Sequence, residues 1–318
     1  MFSSTIIPTI HRPTLARAIQ SVLAQELDGD EFEVIVVNDS GQPLAPAGWL
    51  ASGRVRVLDT QRRNRSAARN AGAAVARGRY LHFLDDDDWL LPHALQFFFE
   101  LAHQARRAVW LYGGIQVVDQ AGTVLGQSNL GQSGDCFAEI MGGAWVPIQA
   151  SIIRTDAFFE AGGYSPLMTC TQDLDLCRKV SMIGDFASTP RSVACLLRGD
   201  GWNTSTDYLD APSTTCLSRD EVLGRPGAYW RLMSSAARRD SAYWRGRVLR
   251  VALSTVKYNL QQRRTLTALS RAMLSAGVGL LSGASILNKA FWAGLQADHV
   301  PGSLHRILLD GARTQTPS

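Results

Sequence analysis

Several patterns that identify common protein classes are missing from this sequence of 318 residues. Its five cysteines, an odd number without a C-x-x-C pair, argue against a disulfide scaffold or a zinc ribbon and fit a reducing compartment. There is no G-x-G-x-x-G and no P-loop motif, so dinucleotide-binding and P-loop functions lose their main support. The six histidines lack H-x-x-x-H spacing and G-x-S-x-G does not occur, which argues against a zinc site and a serine nucleophile elbow.

Long apolar runs are also scarce. The first apolar stretch, residues 5–8, is short for a signal peptide and has no basic region before it. The longest late uncharged stretch, residues 272–288, is rich in Ser and Gly and falls short of the ~20 apolar residues of a spanning helix. We therefore expect a soluble cytoplasmic protein, or one attached peripherally to the cytoplasmic face of a membrane.

The net charge of +4 hides an asymmetry. Residues 1–200 hold 17 basic and 21 acidic side chains, whereas residues 201–318 hold 15 and 7. Within residues 225–271 there are eleven basic residues and one acid. Two interpretations of 225–271 stay open: helices packed on a catalytic domain with a solvated Arg face, or a surface for anionic phospholipid or a lipid-linked acceptor. Nucleic-acid binding is not expected, because no known nucleic-acid-binding fold accompanies the charge.

Strand and helix patterns alternate along the first hundred residues. The apolar run 33–37 is typical of a strand covered on both faces, and it lies between amphipathic helical segments. After residue 206 the pattern is helical, with Leu266, Leu269 and Met273 on one helix face. These patterns predict an α/β fold with a Rossmann-like, mostly parallel sheet flanked by helices. We expect a catalytic domain over residues 1–205 and a helical, Arg-rich region over 206–318.

Four consecutive acids, Asp85–Asp88, follow a predicted strand. Adjacent carboxylates repel one another, and hard cations such as Mg²⁺ and Mn²⁺ take oxygen ligands that they share with substrate phosphates. The cluster therefore predicts a metal site at the carboxyl edge of the sheet, where α/β folds bind ligands. The alternative is a solvated acidic turn that caps the next helix.

Other strand ends point to the same edge. Asp39 follows the second strand, where an acid can hold a nucleoside, although Asn-Asp-Ser-Gly also forms turns. Thr9 ends the first strand, so Thr9, Asp39 and Asp85 are predicted to converge on one crevice. The arginines between 62 and 72, including Arg69, begin a helix and suit either phosphate binding or a basic surface.

Asp173 and Asp175 form a second acidic site. On a helix they are about 200° apart, so both cannot face one crevice. One of them can serve as a general base, while the other would form a salt bridge or a cap; the alternative is that both are structural.

Five ordered blocks of this sequence resemble the inverting family 2 glycosyltransferases with the GT-A fold. The resemblance covers about residues 3–200. The blocks are I-I-P-T from residue 6, S-V-L-A-Q from residue 21, V-V-N-D-S from residue 36, A-A-R-N-A-G from residue 67 and G-R-Y-L-H-F-L-D-D-D-D from residue 78.

This resemblance implies roles for individual residues. Thr9 and His11, with Pro8 and Arg69 in the matching blocks, would belong to the nucleotide-sugar site, and Asp39 would hold the base. Asp85, Asp86 and Asp87 match the D-x-D motif, which places Asp85 and Asp86 near the donor and assigns Asp87 and Asp85 to the metal. Asp173 matches the catalytic base of the family's Glu-Asp pair, although Gln172 replaces the Glu. The family's His after the last strand has no counterpart in residues 198–203.

The resemblance implies a metal-dependent inverting glycosyltransferase that uses Mn²⁺ or Mg²⁺. Its donor would be an NDP-sugar, with a UDP-sugar favoured, and its acceptor a hydroxyl that is lipid-linked or part of a glycan. This activity would serve glycan, polysaccharide or glycoconjugate biosynthesis. Two alternatives remain: a catalytically silent sugar-nucleotide-binding or scaffold protein, and a Mg²⁺-dependent nucleotidyltransferase. The latter normally has a glycine-rich loop after the first strand, and residues 8–12 contain no glycine.

Overall fold

A computed structural model shows a nine-stranded sheet with helices on both faces and further helices at the C-terminal end. It describes residues 1–27, 31–129, 131–198, 211–238 and 242–297. The predicted change from alternating to helical structure is present, but the 205/206 boundary lies outside the described residues.

The first part of the chain builds the parallel half of the sheet. Its strands lie in the order β3-β2-β1-β4, and all three pairings are parallel. The helices α1 and α2 connect successive strands on opposite faces. The elements are β1 (Ser3–Thr9), α1 (Leu15–Leu23), β2 (Phe32–Asn38), β3 (Val55–Asp59), α2 (Arg65–Val75) and β4 (Tyr80–Phe83).

The second part extends the sheet with mostly antiparallel pairings. β8 pairs with β4 and β6 in the antiparallel sense, while β6 and β9 are parallel. The sheet is therefore mixed, and its parallel half is the half that the sequence describes best. The elements are β5 (Trp89–Leu90), α3 (Ala94–Gln104), β6 (Trp110–Val118), β7 (Val124–Ser128), α4 (Phe137–Gly142), β8 (Ser151–Arg154), α5 (Thr155–Glu160), α6 (Gln172–Ile183) and β9 (Phe186–Leu197).

The continuous apolar run in β2 is buried on both faces, as predicted. Val34 and Val36 pack with α1 and α3, whereas Ile35 and Val37 pack with α2, α5 and α6. Alternate residues of a strand point to opposite faces, so one run of valines and isoleucines joins two cores. This double burial fixes the position of β2 and of the residues at its end.

The C-terminal helices pack against the sheet domain through α4. Phe137, Ala138 and Met141 of α4 share one apolar cluster with residues such as Val248 and Val251. The helices are α7 (Ala211–Leu223), α8 (Ala228–Arg238), α9 (Ala242–Gln261), α10 (Thr265–Ser282) and α11 (Lys289–Gln296), with a 3-10 turn at Gly283–Leu287.

One helical stretch of the described residues, Thr265–Leu287, is long and apolar enough to cross a membrane by length and composition. The uncharged stretch that starts at residue 272 is by itself shorter than a spanning helix. The structure starts the helix at Thr265 and includes Arg271 in it. Leu266, Leu269 and Met273 share a face, as the spacing predicts, and this face points away from the protein.

Candidate active site

Three strand ends meet at the carboxyl edge of the parallel half, as the sequence predicts. Thr9 is the last residue of β1, Asp39 follows β2, and Asp85 lies two residues after β4. The Asp39 amide donates to the Thr9 carbonyl at 2.9 Å, which joins the first two ends directly. Pro8, one residue earlier, is buried in β1 beside Val37. The edge therefore brings oxygen-bearing side chains together from distant parts of the sequence.

Thr9 and Asp86 are joined by a hydrogen bond at this edge. The Thr9 hydroxyl donates to Asp86 Oδ2 at 2.6 Å, and the His11 amide donates to the Thr9 hydroxyl oxygen at 3.0 Å. Burial is the main cause that raises the pKa of Asp86 to about 6. The His11 ring is exposed, and its Nε2 lies 3.1 Å from the Ser40 hydroxyl. Asp86 is thus fixed to the end of β1.

Asp39 organises the loop that enters α2. Its buried carboxylate accepts three hydrogen bonds of 2.8 Å, from the Thr60 hydroxyl and from the backbone amides of Arg62 and Asn64. The Asn64 side chain then caps α2 by accepting from the Ala67 amide at 3.0 Å. Two carboxylate oxygens have about four lone pairs, so these bonds leave one acceptor position on Asp39 unused within the described part of the chain.

Arg69 lies one turn inside α2 and is 2% exposed. Its Nη2 donates to Asp85 Oδ1 at 2.6 Å, and its Nη1 donates to Asp173 Oδ1 at 3.1 Å. The guanidinium also lies 5.0 Å from the centre of the Tyr164 ring. The sequence left phosphate binding or a basic surface open for Arg69; the structure places it between two site carboxylates.

Asp85 has a second partner in Gln149, whose side-chain amide donates to Asp85 Oδ2 at 3.2 Å. Burial acts to raise the pKa of Asp85, but Arg69, together with Arg65 and Arg12, outweighs burial and lowers it. The Gln149 carbonyl lies 2.9 Å from His82 Nε2. Gln149 lies in a 3-10 turn with no motif around it, so sequence reasoning had no signal for it.

The carboxylates of Asp85, Asp87 and Asp88 gather at the same place. One oxygen from each lies within 4.8 Å of the others. Asp88 is 3% exposed and accepts from the Leu197 amide at 3.0 Å. Burial first, and then repulsion by Asp85 and Asp87, raise the pKa of Asp88 well above its usual range. Sequence reasoning gave Asp88 no role of its own, because nothing in D-D-D-D says which acid turns inward.

These residues fit a hard divalent cation. Three clustered carboxylates supply the oxygen ligands that Mg²⁺ and Mn²⁺ prefer, and repulsion among them is what a cation relieves. Arg12 bonds Asp87 through Nη1 and lies 3.5 Å from Asp86, while Arg17 donates to the Asp87 carbonyl at 3.1 Å. The cluster is therefore already partly neutralised from one side. Arg12 comes three residues after the first strand end, a position that sequence reasoning did not use.

Asp173 and Asp175 have different partners, as their angular separation on a helix predicts. Asp173, in the first turn of α6, faces Arg69, while Asp175 is buried with its Oδ2 2.5 Å from Lys179 Nζ. Burial raises the pKa of Asp173, and the charge of Arg69 opposes this change. Gln172 donates to the Thr169 carbonyl at 3.0 Å. The segment after Arg198, where the sequence offers no histidine, lies outside the described residues.

Comparisons with known proteins show similarity to glycosyltransferases. Residues 4–131 match the family model "Glycosyl transferase family 2". The succinoglycan biosynthesis protein ExoO of Rhizobium meliloti is 42% identical over 95 residues, which is 29% of this chain and 27% of ExoO. An uncharacterized glycosyltransferase of Haemophilus influenzae is 26% identical over 184 residues, 56% of this chain and 61% of the relative. The chain thus spans less than two thirds of either relative.

Two further similarities concern Staphylococcus aureus proteins. The poly(ribitol-phosphate) β-N-acetylglucosaminyltransferase TarP is 33% identical over 99 residues, 29% of this chain and 30% of TarP. The crystal structure of TarS 1-349 in complex with UDP-GlcNAc superposes with a TM-score of 0.59 at 15% identity, over 90% of this chain and 92% of that one. This structural likeness confirms the predicted GT-A fold class.

Proposed function

Because the chain belongs to glycosyl transferase family 2, we propose that it is a metal-dependent inverting glycosyltransferase. It would move a sugar from an NDP-sugar to a hydroxyl group. The observation that carries this proposal is the Arg69 bridge, which holds Asp173 beside Asp85 of the carboxylate cluster. Glycosyl transfer needs both functions close together: neutralisation of a departing diphosphate and removal of a proton from the acceptor.

The donor side of the site is the edge formed by β1, β2 and β4. We assign Pro8, Thr9, His11 and Asp39 to the nucleotide, with the open lone pair of Asp39 available to a base N–H. Asp85, Asp86 and Arg69 belong to the same edge and are assigned to the donor with them. A UDP-sugar is favoured because TarS is named with UDP-GlcNAc and TarP as an N-acetylglucosaminyltransferase.

The cation site is assigned to Asp85 and Asp87, with Asp88 as a third carboxylate. A Mn²⁺ or Mg²⁺ ion bound there would supply charge neutralisation on the diphosphate. Asp88 is held toward the cluster by the Leu197 amide. Arg12 already compensates part of the negative charge of Asp86 and Asp87.

Asp173 is assigned as the general base. Its Oδ atoms would take the proton of the acceptor hydroxyl while the acceptor oxygen bonds to the anomeric carbon and the carbon–oxygen bond to the diphosphate breaks. The bonding electrons leave with the nucleoside diphosphate, and a single displacement inverts the anomeric centre. A raised pKa suits this role, since a more basic carboxylate accepts a proton more readily.

The acceptor class follows from the relatives' names. ExoO is named for succinoglycan biosynthesis and TarP for poly(ribitol-phosphate), so a growing polysaccharide or glycoconjugate is the proposed acceptor. It would be a glycan, either free or lipid-linked. We place the protein in the cytoplasm, where it would work alone or against the cytoplasmic face of a membrane.

We propose that residues 1–205 form the catalytic domain and that residues 206–318 form a helical extension. Several arginines of 225–271 hold the extension in place through backbone carbonyls: Arg225 donates to Ala161 at 3.2 Å and Arg231 to Ser181 at 3.0 Å. Arg247 is 2% exposed. The interpretation as packed helices therefore accounts for these arginines. A membrane contact of residues 225–271 would have to use a surface that these arginines do not form.

The test is product analysis across a panel of NDP-sugars, with Mn²⁺ or Mg²⁺ and with a chelator. We expect release of nucleoside diphosphate that depends on the cation. Release of inorganic diphosphate would instead identify a nucleotidyltransferase. Donor binding by calorimetry without turnover of any donor would identify a silent sugar-nucleotide-binding protein. Asp156→Asn is a control variant that should release nucleoside diphosphate like the wild type, because this exposed acid pairs with Arg154 on the protein surface.

A further inference from the structure

The outer face of α10 is apolar and uncovered. We use this name for Leu266, Leu269, Met273 and Leu280, which are 85%, 60%, 70% and 83% exposed. The opposite side of α10 carries Ala268, Ser275, Val278 and Ser282, which are buried. No residue of the described part of the chain covers the outer face. Exposed leucines are common singly, but a contiguous row of them along one helix marks an interaction site.

The apolar surface continues beyond α10 on both sides. Leu287, in the 3-10 turn, is 89% exposed, and Trp292 of α11 is 46% exposed. On the other side Trp230 of α8 is 79% exposed. It borders a groove of about 330 Å³ between α8, α9 and α10, whose lining includes Met233, Arg245, Val278 and Leu281. The surface is thus broad, with tryptophans at two places and one arginine at the groove.

The charged residues of α9, α10 and α11 all have one sign. Residues 242–297 contain eight basic residues (Arg245, Arg247, Arg250, Lys257, Arg263, Arg264, Arg271 and Lys289) and no acid. Between 265 and 287 the one charged residue is Arg271. It turns toward the protein, where its Nε donates to Asp220 at 2.7 Å. Of the eight, Lys257, Arg263, Arg264 and Lys289 are exposed, so the segments next to α10 present positive charge to solvent.

We infer that the outer face of α10 docks on an anionic phospholipid bilayer, with the helix lying in the plane of the headgroups. Leucine and tryptophan side chains enter the headgroup boundary, and arginines and lysines attract anionic lipid from beside them. A second copy of this chain is the less suitable occupant, because a symmetric contact would bring two all-positive regions together. This inference does not depend on the glycosyl-transfer activity.

The packing of α10 explains why the helix lies on the bilayer rather than across it. Its inner side is buried against α9 and holds the Arg271–Asp220 ion pair. A crossing α10 would have to leave α9 or take its charged residues into the hydrocarbon, at a high cost. Docking through the outer face leaves the bundle intact.

The test is vesicle flotation of the full chain, with phosphatidylcholine alone and with added phosphatidylglycerol. We expect binding to the anionic vesicles that weakens as salt rises. The triple variant Leu266→Gln, Leu269→Gln and Met273→Gln should lower the partition coefficient at least about tenfold, since each change removes apolar area from the contact. The matched control is Leu50→Gln with Leu125→Gln, two exposed leucines of the sheet domain, and it should float like the wild type.

The variants are expected to fold, because every changed side chain is already exposed, and circular dichroism checks this. As a second measurement, hydrogen exchange over 265–287 should slow when anionic vesicles are added. The inference is overturned if the wild type does not float, or if the triple variant floats equally well. It is also overturned if light scattering shows a multiple of 34.7 kDa that the triple variant loses, which would assign the face to a second copy.

Discussion

Asp85 and Asp173 bind the same guanidinium, although they lie on different elements. Arg69 reaches Asp85 at 2.6 Å and Asp173 at 3.1 Å from its two terminal nitrogens. Arginine suits this bridge because its planar donors have fixed directions and its charge persists at all relevant pH values. The bridge keeps the proposed donor side and the proposed base at a set separation, so loss of the Arg69 guanidinium should affect both carboxylates.

Asp173→Asn should abolish turnover and leave donor binding nearly intact. The amide cannot accept the proton but keeps the size of the side chain and a carbonyl oxygen for Arg69. We expect a fall in kcat of about 10²–10⁴, the usual contribution of a general base. Turnover and calorimetric binding of the donor measure the two effects. An equal loss of both would show that Asp173 is structural.

Asp175→Asn is the control for that prediction, because it makes the same change two residues along α6. Asp175 is buried and pairs with Lys179, so losing its charge leaves the buried ammonium without its partner. We expect lower stability, by about 3–5 kcal/mol, as for other broken buried pairs. Turnover per folded molecule should change little, which separates the role of Asp173 from general damage to the helix.

Arg69→Gln should move the acid limb of the pH–rate profile to higher pH. The Arg69 charge opposes the effect of burial on the pKa of Asp173, so its removal raises that pKa further. The base must be ionised to act, and a higher pKa delays its ionisation as pH rises. Arg69→Lys keeps a positive charge and should shift the limb less. A profile that falls in height without any shift would contradict this electrostatic role.

The sequence predicted the parallel half of the fold and the meeting of its strand ends. Those predictions rest on local signals, such as the doubly buried run in β2 and the acids that follow β4. The partners from the second half were not predictable in this way. Gln149 comes from a 3-10 turn and Tyr164 from a loop, and only tertiary folding brings them to Asp85 and Arg69.

The outer face of α10 shows a second feature that local sequence patterns predict only in part. Spacing places Leu266, Leu269 and Met273 on one side of a helix, because that follows from 3.6 residues per turn. Whether a neighbour covers that side depends on where α9 lies, which no local pattern states. Periodicity therefore identifies an apolar face without saying whether it is core or surface.

Asp87→Asn should weaken Mn²⁺ binding, whereas the neighbouring change Asp86→Asn should affect it less. Asp87 belongs to the carboxylate cluster, while Asp86 turns to Thr9 and Arg12. We expect a loss of at least about tenfold for Asp87→Asn, the lower end of what even outer-sphere partners cost. Calorimetric titration of the metal measures both variants. Equal effects would show that the cluster is not the binding site.

His82 should make the fold less stable as the pH falls. It is fully buried, and burial lowers its pKa to about 4 from an ordinary value of 6.5. Between these values the unfolded chain binds more protons than the folded one, so stability decreases from about pH 6.5 downward. The stability lost through His82, once the pH lies below both pKa values, is roughly 3 kcal/mol. Urea denaturation across this range, compared with His82→Gln, measures it; an identical pH dependence in both proteins would contradict the assignment.

Gly294→Ala should loosen the packing of α11 on α9. A Cβ at Gly294 would lie 2.0 Å from the Tyr243 carbonyl oxygen, and one at Gly246 would lie 2.0 Å from that of Phe291, so two glycines let the helix backbones touch. Backbone atoms cannot turn aside as side chains do, and we expect Gly294→Ala to lower the free energy of unfolding by about 1–3 kcal/mol.

Gly277→Ala on α10 is the control, because its Cβ would meet nothing within 4 Å. That change should be neutral or stabilise the helix by up to about 1 kcal/mol. Chemical denaturation distinguishes the two, and equal stability of both variants would show that α9 and α11 do not pack this closely.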